Sequence, residues 1–231
     1  MKTTQAFLNS FNSPITPLVV DGVMGAKSNE QLGIALNKLS IEFSKRGWVW
    51  DKAFNFIGIR TDNIFDDTFA DWFVLTIGTT LVAVPASTVA GVTSIWKYMS
   101  LWVNGRQGVG TIAENIQIDY LLVEPRGDVW TGWTGNQGFL YQDKAIAKVY
   151  RGAIKDGDKW YTDRTNPEMN NVGSGFNVHT WAGFSLWQVR NLSEGCQVTR
   201  AEFWEIIFPL FVKYARVVSG SKRITYSLIQ L

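Results

Sequence analysis

The sequence predicts a mostly β fold with one prominent late α-helix, preceded by a small N-terminal helical domain. Three features of the 231 residues carry that expectation. Residues 1–46 set apolar side chains at helical spacing on either side of a Pro- and Gly-containing loop. From about Trp48 onward, short runs rich in Val, Ile, Thr and Trp alternate with Gly, Asn and Asp turns, the texture of strands bounded by turn formers. Near the C-terminus an apolar stripe of helical period returns. The expected organisation is a helical domain over 1–46 and a β domain over 47–231.

Phe7, Leu8 and Phe11 stand three and four residues apart on one helix face, and Leu32, Ala35, Leu36 and Leu39 repeat the pattern. Between them, Pro14 to Gly25 holds two prolines and two glycines and reads as a loop. Ser28-Asn29-Glu30-Gln31 has the form of a capping box and is expected to open the second helix. Phe56–Arg60, Trp72–Ile77, Leu81–Val84, Ile116–Val123, Phe139–Gln142 and Ala145–Tyr150 are the expected strands, the second and third joined by a Gly78-Thr79-Thr80 turn. Thr199-Arg200-Ala201-Glu202 is a second capping-box pattern. It is expected to open a helix buried through Phe203, Ile206, Ile207, Leu210 and Phe211, with a kink at Pro209. Thr225–Leu231 is expected to close the fold as a strand. Asp156, Asp158 and Asp163 depart from the EF-hand spacing and read as a solvated turn rather than a calcium loop.

Composition narrows the chemistry. Hydrophobic content of 46%, 21 glycines and six prolines describe an ordinary globular chain. The 22 basic residues are dispersed among 20 acidic ones, which leaves no electrostatic footprint for nucleic acid. The longest apolar run, Trp72–Pro85, is broken by Thr76, Gly78, Thr79 and Thr80 and falls short of the roughly 20 residues of a membrane span. No membrane insertion is expected. The polar N-terminus lacks the apolar core of a secretory signal, so synthesis as a cytoplasmic polypeptide is expected. One cysteine excludes an internal disulfide, and one histidine excludes the zinc sites built on two or three. No metal and no cofactor are expected. The carboxylate pairs Asp66/Asp67 and Glu202/Glu205 make a poor glycosidase, because neighbouring strand residues point oppositely and Glu202 belongs to a capping box.

The single histidine and single cysteine lie 17 positions apart, in Asn177-Val178-His179-Thr180 and Ser193-Glu194-Gly195-Cys196-Gln197-Val198. A thiol is a weak nucleophile at neutral pH until an imidazole or an electropositive pocket favours its thiolate. Cysteine and histidine are therefore the minimum pair for covalent acyl transfer. Ser193 and Gly195 allow close backbone approach, so that N–H groups can face a developing oxyanion.

This pattern resembles the catalytic domain of the L,D-transpeptidases, cysteine enzymes of peptidoglycan cross-linking, over about residues 110–231. That family places a histidine upstream of a Ser/Thr-His-Gly-Cys motif. The resemblance implies a β-sandwich or barrel in which His179 is the base and Cys196 the nucleophile. Ser193 and Gly195 would shape the oxyanion site, and Thr180 would orient the imidazole through its carbonyl or hydroxyl. Phe176-Asn177-Val178-His179 would be a strand feeding the site. The family's inner histidine is Glu194 here, and the arginine common two residues after the cysteine is Val198. In papain-like peptidases the cysteine precedes the histidine, an order that this chain excludes. At the front, Gln5 to Asn9 followed by Asp21-Gly22-Val23-Met24-Gly25 is similar to the small helical peptidoglycan-binding domain, over residues 5–39. It implies wall contact through Asp21, Gly22 and Gly25, and Trp181 is a candidate stacking platform for glycan. Peptidoglycan is thus the expected partner and a phage endolysin or virion-associated lysin the expected protein. The alternative is a non-catalytic wall-binding or virion structural protein that keeps the fold.

Overall fold

The computed structural model describes residues 1–61, 69–89, 110–124, 138–142, 147–157, 159–170, 176–180 and 195–230. It begins with two helices, α1 (Lys2–Asn12) and α2 (Ala26–Lys45). Eight strands then build a closed barrel: β1 (Phe54–Arg60), β2 (Asp71–Ile77), β3 (Thr80–Ser87), β5 (Ile116–Val123), β6 (Phe139–Tyr141), β9 (Val178–Thr180), β10 (Gln197–Thr199) and β11 (Arg223–Gln230). Around the barrel the order is β1-β11-β5-β6-β9-β10-β3-β2. The pairs β1–β11 and β9–β10 are parallel, and the others are antiparallel. A separate three-stranded sheet joins β4 (Thr111–Ile112), β7 (Ala147–Asp156) and β8 (Lys159–Asn170). The late helix α3 (Ala201–Lys213) runs into a π-helical turn at Tyr214–Ser219 before β11. No helix among the described residues is long and apolar enough to cross a membrane.

Strand alternation sorts the side chains into two cores. Phe54 and Phe56, Phe73 and Leu75, Val84 and Ala86, Ile118, Tyr120 and Leu122, and Ile224, Tyr226 and Leu228 form the interior cluster. Trp204, Ile207, Phe208 and Phe211 of α3 join it, with the Phe56 and Phe211 rings 4.8 Å apart. The intervening residues Ile57, Ile59, Val74, Leu81, Ala83 and Ile229 point outward and are covered by Phe7, Leu8, Ala35, Leu39 and Phe43. The helical hairpin and the barrel's outer face thus share one hydrophobic cluster.

Gly58 marks where the interior is tightest. A Cβ at this position would lie 1.8 Å from the Tyr226 hydroxyl. The Tyr226 ring occupies the space that a side chain at 58 would need. Gly58→Ala is therefore expected to lower stability by about 1–3 kcal/mol, the usual cost of overpacking, measured as a shift in denaturant midpoint.

Several local expectations are corrected. Neither capping box caps a helix: α2 starts after Gly25 and α3 after Arg200, each without a side-chain cap. Ser28 lies inside α2 within 3.5 Å of Gln5 Nε2, and the Thr199 hydroxyl donates to the Pro85 carbonyl at 2.5 Å. In both cases tertiary contacts take the side chain that would have capped. The buried stripe of α3 is rotated toward Trp204, and Ile206 is 49% exposed. The helix continues through Pro209, whose position on the exposed face leaves the freed carbonyl to water. β7 runs six residues beyond the expected Tyr150 and turns at Gly157 (φ +58°) into β8. Asp163, expected in a solvated turn, lies in β8 and accepts from the Thr165 N–H (3.0 Å) and hydroxyl (2.7 Å); Asp158 lies outside the described residues.

Candidate functional site

His179 and Cys196 come onto one face because β9 and β10 pair in parallel, with Gln197 opposite Val178, Val198 opposite His179 and Thr199 opposite Thr180. The Gln197 N–H also donates to the Asn177 carbonyl at 2.8 Å, which fixes the start of the pairing. Directly paired residues share a face, and alternation returns the chain to that face two residues away. His179, Val198 and Cys196 therefore lie on one side of the two-strand step. Cys196 and Val198 pack together there with Phe69.

The lead into β9 is held by polar contacts. The Tyr120 hydroxyl donates to the Phe176 carbonyl (2.7 Å), the Phe176 N–H to Gln142 Oε1 (3.2 Å) and the Gln142 N–H to Asn177 Oδ1 (3.1 Å). On the other side, Gly195 precedes Cys196 at φ +120°, a backbone conformation that an L side chain rarely adopts. A Cβ there would lie 2.1 Å from the Gly110 carbonyl oxygen and 2.7 Å from the Phe176 ring. Glycine is thus demanded twice, by conformation and by space.

His179 is 1% exposed, and its Nδ1 lies 2.9 Å from the Thr180 carbonyl oxygen. A carbonyl can only accept, so Nδ1 carries the proton, and in the neutral ring Nε2 presents its lone pair. Burial pulls the imidazole pKa below its ordinary 6.5, and the Thr180 carbonyl only partly opposes it. At neutral pH the ring is therefore neutral with Nε2 ready to accept a proton. Cys196, also 1% exposed, is a thiol outside any disulfide.

Of the two contacts expected from Thr180, the carbonyl contact is present; its buried hydroxyl has no hydrogen-bond partner among the described residues. Ser193, Trp181 and Glu194 lie outside the described residues, as do Asp66 and Asp67. Val198 is an apolar neighbour of Cys196. Glu202 is exposed and pairs with Arg200 at 2.6 Å.

Asp21, Gly22 and Gly25 lie on the helical side of the molecule. Asp21 Oδ1 accepts from Gln5 Nε2 (3.0 Å) and the Val23 N–H (2.8 Å), and the Gly22 N–H donates to Gln5 Oε1 (2.7 Å). The Gln5 bond, then that from Val23, holds the Asp21 carboxyl below its ordinary pKa. Gly22 uses positive φ (+93°); Gly25 sits at φ −80° as the residue before α2 and needs no such freedom. A cleft of about 560 Å³ between α1, α2 and β1–β2 is lined by Phe11, Lys38, Glu42, Ile59 and Trp72 among others. None of Asp21, Gly22, Gly25, His179 or Cys196 lines it.

A buried polar network has no motif of its own in the sequence. The inward alternation Phe54, Phe56, Gly58 ends on Arg60, whose guanidinium is fully buried. Its Nε donates to the Thr88 hydroxyl (2.9 Å), Nη2 to the Thr88 carbonyl (2.6 Å) and Nη1 to Glu114 (3.1 Å). Asp71 accepts from the Thr88 hydroxyl (2.6 Å) and N–H (2.8 Å) and from the Thr61 N–H (2.9 Å). Glu114 also pairs with Arg164 at 3.0 Å and accepts from the Tyr150 hydroxyl at 3.0 Å. The period-two pattern running onto an arginine was the available signal.

Among the described residues, no three His, Cys, Asp or Glu side chains gather as metal ligands would. The chain matches no protein-family model and no curated protein sequence. Fold and site together define a closed β-barrel that carries its single histidine on β9 and its single cysteine immediately before the adjacent parallel strand β10.

Proposed function

We propose that the protein is a cysteine-dependent acyltransferase acting on the stem peptides of peptidoglycan. The observation that carries this reading is the parallel β9–β10 register, which sets His179 opposite Val198 and on the face that Cys196 shares, with Nδ1 committed to the Thr180 carbonyl. In the proposed reaction His179 Nε2 takes the Cys196 proton as Sγ attacks a stem-peptide carbonyl. The tetrahedral oxyanion collapses with cleavage of the C–N bond, and the imidazolium returns its proton to the departing amine. Water or an acceptor amine then attacks the thioester, giving hydrolysis or a cross-link. The Thr180 carbonyl favours the transient imidazolium through Nδ1–H. The choice of peptidoglycan rests on the Ser-x-Gly-Cys resemblance and on the Asp-Gly-x-x-Gly loop at the front.

Purified sacculi treated with the wild type and with Cys196→Ala test the reading by mass analysis of the products. New free amines from stem peptides, absent with the mutant, are the expected result. Reducing-sugar ends that persist in the mutant would overturn it. A second reading, a wall-binding or virion structural protein, is favoured by one observation: both side chains are 1% exposed, so a stem peptide reaches them only after the site opens. It predicts binding to sacculi without products.

The His179 shift has a consequence for pH. Below about 6.5 the unfolded chain takes up a proton that the folded imidazole refuses, so stability is lost as the pH is lowered through this window. With one histidine in the chain, His179→Gln is expected to flatten the stability profile there, measured as thermal midpoints between pH 7.5 and 5. In the wild type, the acid limb of activity is expected below 6.5. A limb centred above 6.5 would contradict a buried neutral base.

A further inference from the structure

We propose that Gln197 is a positioning residue that holds Cys196 against His179 by a side-chain amide fixed at both ends. The inference rests on reading Cys196 and His179 as a reacting pair. Gln197 follows Cys196, and its backbone opens the β10 pairing to β9. Its side chain turns to the opposite face, toward Tyr226 in the barrel interior, and is fully buried.

There the Tyr226 hydroxyl donates to Gln197 Oε1 at 3.0 Å, and Gln197 Nε2 donates to the Thr88 carbonyl at 3.2 Å. The same Nε2 reaches back to the Gly195 carbonyl at 3.5 Å, so the amide brackets the backbone on both sides of Cys196. Both anchors are themselves fixed. The Thr88 carbonyl also accepts from Arg60, and Thr88 is tied to Asp71 by its hydroxyl and its N–H. The Tyr226 hydroxyl lies where a Gly58 Cβ would stand.

The amide's chemistry matches its surroundings. Oε1 meets a donor and Nε2 meets two acceptors, whereas a carboxylate at 197 would turn an oxygen toward two carbonyl oxygens. An aliphatic side chain would fill the volume without the cost of burying an amide. What the amide adds is direction: a satisfied buried network fixes geometry as well as filling space. Position matters here because a displacement of about 1 Å at a reacting atom can cost about 10²-fold in rate.

Gln197→Met keeps the volume and removes all three side-chain hydrogen bonds, and Tyr226→Phe removes one donor. Each full-length variant is compared with the wild type for kcat and KM on a stem-peptide substrate. The pH profile of iodoacetamide alkylation at Cys196, the single thiol, is a second readout, and the thermal midpoint confirms folding. Gln197→Met is expected to lower kcat by about 10²-fold with KM within about twofold, and to move the midpoint of the alkylation profile. Tyr226→Phe is expected to shift both readouts in the same direction by less. It carries the test if Gln197→Met does not fold. An active wild type beside folded variants with unchanged kcat and alkylation profile would overturn the positioning role alone. An inactive wild type whose alkylation profile is indifferent to His179→Ala would overturn the acyl-transfer reading, and this inference with it.

Discussion

Cys196→Ala is expected to abolish stem-peptide cleavage, with a loss of at least about 10⁴-fold, and His179→Ala is expected to come close to the same loss. The two effects should not add. The thiol needs the imidazole to become a nucleophile, and without the thiol the imidazole has no proton to take. A double variant no slower than either single one is the signature of one reacting unit. The single-copy composition sharpens the expectation, because no other thiol or imidazole exists in the chain to substitute. Rates of free-amine release from sacculi provide the measurement. Both variants should retain the fold: Cys196→Ala removes one sulfur from a small cluster with Val198 and Phe69. His179→Ala leaves the β9–β10 backbone pairing in place.

Gly195→Ala is expected to destabilise the protein by more than about 4 kcal/mol, or to prevent folding at 37 °C. The added Cβ would sit 2.1 Å from the Gly110 carbonyl oxygen. That oxygen belongs to backbone just before β4 and cannot swing aside as a flexible side-chain tip could. The residue would also be forced to keep φ at +120°. Gly47→Ala offers a control: that glycine also has positive φ, but nothing lies within 4 Å of its Cβ. Its loss should be confined to conformational strain of about 1 kcal/mol. Denaturant midpoints of the two variants separate the cost of contact from the cost of conformation.

What could be read from the sequence was mostly local. The strands β2 and β3 and their connecting turn follow from alternation and Gly78, and β5 and β11 from their Ile-, Leu- and Tyr-bearing runs. Closure of the barrel was not legible, because it depends on pairing Phe56 with Tyr226 and Val198 with His179 across long separations. Short strands such as β9 and β10 carry three residues each, too few for a periodic signal. The capping boxes misled because a motif of four residues competes poorly with tertiary contacts to Gln5 and Pro85.

At the site, composition singled out the pair and the glycine before the cysteine, and the fold supplies the reason for that glycine. The partners that hold the pair were hidden. Gln197, Thr88 and Tyr226 are unremarkable residue types whose meeting is a property of the closed barrel. Arg60 was visible in principle, as the last inward position of an otherwise apolar strand. Its cost of burial is met by Thr88 and Glu114, so replacing it with an aliphatic residue alone would take a donor from each of them.

The central claim is that Cys196 forms a covalent bond to a stem peptide with the help of His179. It is tested most directly by trapping that bond. The full chain is mixed with soluble stem peptides, quenched in acid within the first turnover, and digested for mass analysis. A thioester adduct on the fragment that holds Cys196, present in the wild type and absent in His179→Ala, is the predicted result. Stem-peptide cleavage that proceeds with Cys196 unmodified, or an adduct that forms equally without His179, would contradict it.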